Sequence, residues 1–324
     1  MTERGKLWGD KPYYSLDYYL KQTYGEKIYR LSLNGGMTCP NRDGTLGERG
    51  CIFCSQGGSG DFAASPGLSI TKQIEASKEK IRKKTAARKF IAYFQAYTNT
   101  YAPVSYLENI YMEAALHPDI IILSIATRPD CLGEEVLELL SRVNQIKPVW
   151  IELGLQTVHP STRNWIRSGF SLEDFYGAVK NLKRRKIPVI VHVILGFPGE
   201  TRDMMLDSVS CAGALPIFGI KLQLLHILKH TDLAAQYAAA PFPLPGLLEY
   251  AHLLAECIQI LPEHITIHRI TGDGPKNLLL APLWSADKKR VLNTIHRILR
   301  ETDSYQGKGG IIWQSQIQST ELPY

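Results

Sequence analysis

Short apolar runs rich in β-branched residues recur along the chain, and segments with helical periodicity separate them. Runs of this kind, bounded by polar or turn residues, are typical of buried strands. The predicted strands are Ile28–Leu33, Phe90–Phe94, Ile120–Ile125, Val149–Leu153, Val189–Leu195, Gly219–Leu224 and Ile265–Ile270. The third and fifth runs are almost wholly apolar, which is typical of strands buried on both faces.

The intervening segments predict helices whose ends are marked by capping residues. The segment LGEEVLELLSRV carries apolar residues at positions i, i+3, i+4 and i+7, which lie on one helix face. The segment SLEDFYGAVKNLKRR begins at Ser171, a good N-cap, with acidic residues in its first turn and basic residues in its last. Further on, WSADKKRVLNTIHRILRETD predicts a helix with Ser285 as its N-cap and one apolar face.

Strands that alternate with helices predict a parallel sheet with right-handed crossover connections. A complete (β/α)8 barrel needs eight units, and six are visible before the pattern changes. We therefore predict an α/β fold, a partial (β/α)6 TIM-like barrel with N- and C-terminal extensions. The predicted boundaries are 1–22 for the N-terminal extension, 23–262 for the core barrel and 263–324 for a C-terminal strand and helix.

Composition places the chain among ordinary globular enzymes. Its 324 residues are 44% hydrophobic and 21% charged. The first residues, MTERGKLWGDKPYYS, lack the apolar core of an export signal, and no run of about 18 apolar residues follows. We therefore expect a cytoplasmic protein without membrane association, in which the six cysteines are thiols.

The net charge of +6 and the pI near 8.9 are compatible with an anionic partner. Basic residues are concentrated in two runs, KEKIRKKTAARK at 78–89 and KRRK at 183–186. Each run taken alone is more often a solvated helix face. Nucleic-acid binding would need both runs on one face of the molecule.

Three of the six cysteines fall within one short stretch, TCPNRDGTLGERGCIFC. Cys39, Cys51 and Cys54 have the spacing C-x11-C-x2-C and follow the first predicted strand, where parallel folds place their chemistry. Thiolates bind soft metals, so zinc and an iron–sulfur cluster are the candidates.

The number of cysteines favours the cluster, and a zinc site completed by a distant fourth ligand also stays open. A structural zinc site takes four protein ligands, but the next cysteine is Cys131 and the first histidine is His117. Three thiolates on a [4Fe–4S] cluster leave one iron open, as in reactive sites. Cysteines that bind no metal remain the alternative. Cys131, Cys211 and Cys257 lie in apolar helical contexts and are predicted to be small core residues.

The cysteine stretch resembles the loop of the radical S-adenosylmethionine (SAM) superfamily, in the wider spacing of the branch that contains the elongator-complex catalytic subunit. The resemblance implies that Cys39, Cys51 and Cys54 hold a [4Fe–4S] cluster. It also implies that SAM chelates the open iron and that reduction splits it to a 5′-deoxyadenosyl radical. Phe53 would pack near the adenine.

Other segments resemble the superfamily at matching places. YFQAYTNTY follows the second strand, where the family holds the amino group of SAM, and it offers Gln95, Thr98 and Asn99. A plain polar loop is the alternative there. IELGLQTVHPST resembles the motif whose glutamine contacts SAM, which corresponds to Gln156. Ser168 stands where relatives carry an arginine that reaches the cofactor.

VHVILGFPGET resembles the turn after the fifth strand, in which Gly196 and Gly199 would let the backbone approach the adenine. Five further segments, spread over nearly the whole chain, resemble the YtqA-type branch. They are YYSLDYYLKQTYGEKIYRLSLNGGMTCPNRDG, YFQAYTNTYAP, IATRPDCL, KLQLLHILKHTDLA and HRITGDGPKNLLLAPLWSADKK.

This branch implies tRNA as substrate. The expected reaction converts the 5-carboxymethylaminomethyl side chain of the wobble uridine into 5-aminomethyl. The implied partners are tRNA, an electron donor such as flavodoxin or ferredoxin, and a methyltransferase that acts on the product.

Polar residues after the last predicted strands are the candidates for catalysis. They are His226, Lys229, His268, Arg269 and Asp273. An arginine or lysine would suit a substrate carboxylate. A lone loop histidine is more often structural, and Arg128 and Asp130 after the third strand can simply pair with each other.

Two other functions remain open at this point. The chain could be a radical SAM enzyme that acts on a small molecule, in which case loss of the basic runs would leave turnover unaffected. It could also be a non-catalytic iron–sulfur or zinc protein that binds RNA, and metal analysis would identify that class.

Overall fold

The computed structural model describes residues 7–82, 85, 87–272 and 274–310. Helices and strands alternate through most of this part of the chain. In chain order they are α1 Leu16–Tyr24, β1 Tyr29–Leu33, α2 Ile70–Arg82, β2 Phe90–Phe94, α3 Val104–Leu116, β3 Ile120–Thr127, α4 Glu134–Ile146, β4 Val149–Gln156, α5 Pro160–Trp165, α6 Leu172–Arg184, β5 Val189–Leu195, α7 Arg202–Ala214, β6 Gly219–Leu224, β7 Ile227–Leu228, α8 Asp232–Ala239, α9 Leu247–Ile260, β8 Thr266–Arg269, β9 Leu279–Ala281 and α10 Lys288–Glu301. Short 3₁₀ turns lie at Pro129–Cys131 and Leu283–Ala286. No described helix is both long and apolar enough to span a bilayer.

The strands follow one another in the main sheet in the order β1-β2-β3-β4-β5-β6-β8. The pairs β1–β2, β2–β3, β3–β4 and β6–β8 are parallel, whereas β7 and β9 form a separate antiparallel pair. Sequential parallel strands with intervening helices confirm the predicted α/β partial-barrel class.

Strand positions agree closely with the apolar runs. The bounds of β2, β5 and β6 are those predicted, and β3 and β4 continue further, to Thr127 and Gln156. The short pair β7–β9 was not predicted, because two or three apolar residues give no periodic signal.

Helix caps agree in one case and differ in another. Ser171 caps α6 as predicted, in a capping box with Asp174. The predicted cap of α10, Ser285, is wrong. Its hydroxyl donates to the Pro282 carbonyl at 2.7 Å in a 3₁₀ turn, and Asp287 caps the helix by accepting from the Arg290 amide at 3.1 Å.

The chain divides into two compact units. The first comprises Leu20–Gly154 and Asn164–Ile190, and the second comprises Met1–Tyr19, Leu155–Arg163 and Val191–Tyr324. The predicted boundaries after residues 22 and 262 stay predictions.

The first unit has an apolar and a polar sheet face. Phe94 packs edge-on against Tyr111 of α3, with ring centroids 5.3 Å apart. On the opposite face lies the buried carboxylate of Glu152. Ser124 donates a hydrogen bond to it at 2.7 Å, and Arg30 lies 3.4 Å away. A buried charge needs partners of this kind.

In the second unit, segments from both regions next to the chain ends pack together. The Ile267 amide of β8 donates to the Tyr14 carbonyl at 2.7 Å. Gln306 is fully buried; its carbonyl oxygen accepts from the Tyr14 amide at 2.8 Å and its amide donates to the Pro262 carbonyl at 2.6 Å. These bonds satisfy backbone groups that a loose terminus would leave to water.

Candidate metal centre

The three neighbouring cysteines lie in the loop that follows β1, within the first unit. The Arg42 amide donates to the Cys39 carbonyl at 2.8 Å, and the Cys54 amide donates to the Cys51 carbonyl at 3.0 Å. Cys39 and Cys51 therefore each begin a tight turn, and all three cysteines are half-buried.

Cys39 and Cys54 are close enough to Cys51 to influence the protonation of its thiol. Burial, followed by the charge of Cys54, raises the pKa of the Cys51 thiol to about 12, and the charge of Cys39 raises it as well. Because metals bind the thiolate, three neighbouring thiolates require a positive partner. The loop therefore fits a cationic metal centre.

Asn41 connects the cysteine loop to a second loop of the same unit. Its side-chain amide donates to the Cys51 sulfur at 3.4 Å, to the Arg167 carbonyl at 2.7 Å and to the Ser168 carbonyl at 3.4 Å. Gly169 has a φ of +76°, and a Cβ there would lie 2.7 Å from the Asn41 side-chain oxygen. The Asn41 amide thus helps to fix the position of the Cys51 sulfur. Residue 169 must be glycine because its backbone lies so close to the Asn41 side chain.

Arg42 holds the other end of the cysteine loop. Its guanidinium donates to the Cys54 carbonyl at 3.1 Å and to the Ser55 carbonyl at 2.7 Å, and lies 5.7 Å from the ring centroid of Tyr97. A Cβ on Gly50 would lie 2.8 Å from the same guanidinium. The loop is therefore held by side-chain bonds to its carbonyls.

Arg128 places a buried positive charge beside the cysteines. It forms two hydrogen bonds with Asp130, at 2.9 and 2.8 Å, and donates to the Ser168 carbonyl at 2.9 Å. The expected pairing of Arg128 with Asp130 is confirmed. Burial lowers the pKa of Arg128, but the hydrogen bonds and charge of Asp130 outweigh it, and the Cys39 and Cys51 thiolates raise the pKa further.

Cys131 does not lie in a helix core as predicted. It is half-buried in the 3₁₀ turn after β3, and its carbonyl accepts from the Thr100 hydroxyl at 2.6 Å. The apolar run of β3 ends at Thr127 and α4 begins only at Glu134, so Cys131 belongs to the intervening loop. The other two, Cys211 and Cys257, are buried as predicted.

The loop after β2 contacts the cysteine loop and offers one unused acceptor. The side-chain amide of Gln95 donates to the Ser59 carbonyl at 2.8 Å, and the Thr98 amide donates to the Thr38 carbonyl at 3.2 Å. Asn99 is fully buried, and its side-chain oxygen has no hydrogen-bond partner within the described residues. A buried oxygen of this kind suits an ammonium or amide donor on a ligand.

Two other residues named from the sequence lie in the same unit. Phe53 is half-buried between Cys51 and Cys54. Ser168 is buried, and its carbonyl accepts from Arg128 and Asn41 while its hydroxyl has no hydrogen-bond partner in the described part of the chain. Backbone contacts therefore define the role of this position.

Gln156 and the two turn glycines lie in the second unit. Gln156 ends β4 with a φ of +67°, and its buried side-chain oxygen has no partner among the described atoms. A positive φ is uncommon for a residue with a side chain, and Ser59, Tyr97 and Arg167 share this feature. Gly196 and Gly199 have φ values of +93° and +84°, which glycine alone adopts easily.

The catalytic candidates also belong to the second unit. The His226 ring is 3.1 Å from the Ser285 hydroxyl, and Lys229 is exposed after β7. The His268 ring is 3.1 Å from the Thr266 hydroxyl of its own strand. Arg269 is half-buried at the end of β8, and Asp273 lies outside the described residues.

His268 is placed at the end of β6 that is opposite to the usual position of chemistry. Its ring lies so close to Gly219, the first residue of that strand, that a Cβ there would be 2.6 Å away. Catalytic residues in such folds follow the carboxyl ends of strands. Among the four candidates that the structure describes, His268 is therefore the one that its contacts favour least.

Comparison with known families decides the class. The description "Radical SAM superfamily" matches residues 43–212, more than half of the chain, and "Radical_SAM C-terminal domain" matches residues 217–301. The chain belongs to the radical SAM superfamily. The predicted family is thereby confirmed.

Individual relatives span different shares of this radical SAM protein. It is 40% identical over 299 residues to the uncharacterized protein YtqA of Bacillus subtilis, which covers 92% of this chain and 93% of YtqA. It is 23% identical over 163 residues to the tRNA uridine(34) acetyltransferase of Methanocaldococcus jannaschii, covering 49% of this chain and 30% of that protein.

The solved structure of the archaeal Methanocaldococcus infernus Elp3 shares the fold, with a TM-score of 0.65 at 16% identity. The match covers 86% of this chain and spans 64% of the Elp3 chain.

As a radical SAM enzyme, the protein uses a [4Fe–4S] cluster and SAM. Cys39, Cys51 and Cys54 fit the cluster, because all three lie in one loop beside the positive charge of Arg128. When bound, these cofactors supply a carbon-centred radical that removes one hydrogen atom from a substrate C–H bond.

Sequence reasoning missed three residues that support the cysteines, namely Asn41, Arg42 and Tyr97. Two of them were in the cysteine stretch itself, directly after Cys39 and Pro40. Loops that hold a metal need side-chain donors for their sulfurs and carbonyls, and an amide and a guanidinium beside a ligand cysteine are the signal that could have found them.

Proposed function

We propose that this radical SAM enzyme modifies the wobble uridine of tRNA, converting a 5-carboxymethylaminomethyl side chain into 5-aminomethyl. The observation that supports the substrate is the similarity to the tRNA uridine(34) acetyltransferase over 163 residues. The net charge of +6 is compatible with RNA as the anionic substrate.

The proposed reaction balances with one molecule of SAM and one of water. A hydrogen atom leaves the carbon between the amine and the carboxylate, and a second electron leaves the same carbon. Water then adds to the resulting C=N bond, and cleavage of the C–N bond releases glyoxylate and the aminomethyl product. When bound, SAM would supply the two-electron oxidation, with methionine and 5′-deoxyadenosine as its products.

Residues of each unit have roles in this proposal. In the first, Asn41 and Arg42 hold the cysteine loop, and the Asn99 oxygen offers an acceptor to the amino group of SAM. In the second, the guanidinium of Arg269 and the ammonium of Lys229 are the cations assigned to the substrate carboxylate.

The proposal also includes partners. An electron donor such as flavodoxin or ferredoxin reduces the cluster, and a methyltransferase methylates the aminomethyl product. The first experiment below needs neither partner, because dithionite takes the place of the electron donor and no methylation is measured.

The first experiment is anaerobic reconstitution with iron and sulfide, followed by dithionite and SAM. We expect 5′-deoxyadenosine from the wild type and none from Cys39→Ala, Cys51→Ala or Cys54→Ala. A colourless protein with one tightly bound zinc ion would contradict the assigned cofactor.

The second experiment tests the substrate. Mass spectrometry of wobble nucleosides from a strain without the gene should show accumulation of 5-carboxymethylaminomethyluridine. Purified enzyme should convert that nucleoside in the isolated tRNA and release glyoxylate. An unchanged wobble-uridine profile in the deletion strain would rule out the proposed substrate.

A further inference from the structure

The helix α10, Lys288–Glu301, has two different faces. The buried face consists of Val291, Ile295, Ile298 and Leu299. Asp287 caps the helix through a 3.1 Å bond to the Arg290 amide, so its first turn is fixed. An amphipathic helix anchored in this way presents its other face as a rigid row.

The opposite face carries four cations, two uncharged hydrogen-bonding side chains and the capping carboxylate of Asp287 along a shallow, open groove. The groove has a volume of about 510 Å³. Its lining residues are Asp287, Lys289, Arg290, Asn293, Thr294, Arg297 and Arg300. No large apolar side chain of α10 is among the exposed ones within the described residues, so the face lacks the apolar anchors typical of protein interfaces.

Most of these cations have no acidic partner. Arg297 lies 3.2 Å from Glu301, whereas Lys289, Arg290 and Arg300 form no ion pair with any described residue. In the two basic runs noted in the sequence, some of the cations do have acidic partners. Lys78 pairs with Glu75 at 2.7 Å and also with Asp119, and Arg185 pairs with Glu134.

We propose that this face of α10 binds the phosphate backbone of the RNA substrate. The inference rests on the proposed function, since it assumes that RNA is bound. Residues 289–300 span about 16 Å along the helix, which is long enough to meet several phosphates of one strand. Asn293 and Thr294 supply the neutral donors that accompany arginine and lysine in phosphate contacts.

The face provides affinity and orientation without base recognition. Cation contacts to phosphates are independent of base sequence and release counterions. Selection of one uridine is therefore left to the residues at the reaction site. If α10 supplies most of the phosphate contacts, tRNA binding should depend strongly on salt, and most of this dependence should come from α10.

The test is fluorescence anisotropy with labelled tRNA and the reconstituted full chain over a series of NaCl concentrations. The variant is Lys289→Gln/Arg290→Gln/Arg300→Gln. The matched control is Lys183→Gln/Arg184→Gln/Lys186→Gln, which removes the same charge from exposed positions at the end of α6.

We expect the α10 variant to bind tRNA at least about tenfold more weakly at physiological salt. The slope of log K against log salt should become less negative by about 2 to 3. The α6 variant should bind like the wild type. Deoxyadenosine formation without tRNA should be equal in all three proteins, which shows that each is folded and loaded.

Other results overturn the inference. Wild-type affinity in the α10 variant, or an equal loss in both variants, would show that this face has no special role. Tighter binding of polyglutamate than of tRNA by the wild type, lost in the α10 variant, would assign the face to an acidic protein. If the wild type binds no tRNA at all, the proposed function fails together with the inference.

Discussion

At the scale of single residues, Asn41 determines how the cysteine loop meets its neighbour. One side-chain amide reaches the Cys51 sulfur at 3.4 Å and two carbonyls of the loop at 167–168. Hydrogen bonds to cysteine sulfur are among the factors that set iron–sulfur reduction potentials, because they stabilise the more negative, reduced state. Asn41 therefore positions the cysteine loop, and we expect its bond to the Cys51 sulfur to affect the potential of a cluster held there.

Replacing this donor should lower the cluster potential. In Asn41→Leu the side chain keeps a similar size but cannot donate to the sulfur. Both redox states accept this hydrogen bond, so only the difference in its strength changes the potential, and we expect a decrease of a few tens of mV. The measurement is an EPR-monitored redox titration of the reconstituted protein.

The matched control is Asn34→Leu in the same loop, because the Asn34 side chain accepts from the Gly36 amide and has no cysteine contact among the described interactions. Its potential should equal that of the wild type. Equal potentials in Asn41→Leu and the wild type would show that the contact does not affect the cluster.

Two glycines of the first unit offer a sharper test of local geometry. Gly169 has a positive φ and no room for a Cβ beside Asn41. Gly177 lies within α6, and a Cβ added there would meet no described atom within 4 Å outside its own stretch of helix. We expect Gly169→Ala to destabilise the fold by about 2 kcal/mol or more. Gly177→Ala should instead stabilise it by up to about 1 kcal/mol.

Thermal unfolding and iron content measure these effects. Gly169→Ala should lower Tm and reduce the iron retained after reconstitution, because Asn41 must move. Gly177→Ala should raise Tm and leave iron content unchanged. A Gly169→Ala protein with wild-type Tm and iron content would disprove the close approach.

At the scale of elements, apolar runs were sufficient to place the strands of the main sheet, and the cysteine spacing was sufficient to find the family loop. Those signals extend over five or more residues, so neighbouring errors average out. The prediction of the α10 cap failed because two residues that can cap a helix, Ser285 and Asp287, lie close together in the sequence. Only the local 3₁₀ turn decides which of them caps the helix. Contacts such as Asn41 with Arg167 join positions 126 residues apart, which no local pattern records.

The corrected cap leads to a direct prediction. Asp287→Ala removes the acceptor of the Arg290 amide and a negative charge at the positive end of the helix dipole. The free energy of unfolding should fall by about 1 kcal/mol. Urea denaturation followed by circular dichroism measures the change.

Asn293→Ala, an exposed position of the same helix, is the control, and its effect should stay within about 0.5 kcal/mol. If Asp287→Ala is no less stable than this control, the cap does not contribute.

At the scale of the whole molecule, regions near opposite chain ends meet through one aromatic pair of the second unit. The Tyr13 hydroxyl lies 3.3 Å from the His296 ring nitrogen, and the ring centroids are 6.3 Å apart. Burial raises the pKa of Tyr13, so its hydroxyl stays protonated. The contact joins the segment before α1 to helix α10.

This contact should make stability sensitive to mild acid. Burial, followed by the charges of Lys11 and Arg300, lowers the pKa of His296 below its usual 6.5, although Asp10 opposes the shift. The unfolded chain then binds a proton at a pH where the folded chain does not, so stability falls as pH drops through about 6.5 and levels off below the folded pKa. Tm should therefore decrease between pH 7.5 and 5.5.

His296→Gln keeps a hydrogen-bonding group near Tyr13 but cannot titrate, so its Tm should depend less on pH over this range. His252→Gln, which changes an exposed histidine of α9, should keep the wild-type dependence. Comparing the three Tm profiles isolates the contribution of one histidine from the titration of all others. Parallel profiles for His296→Gln and the wild type would show that the contact between these two regions does not couple folding to pH.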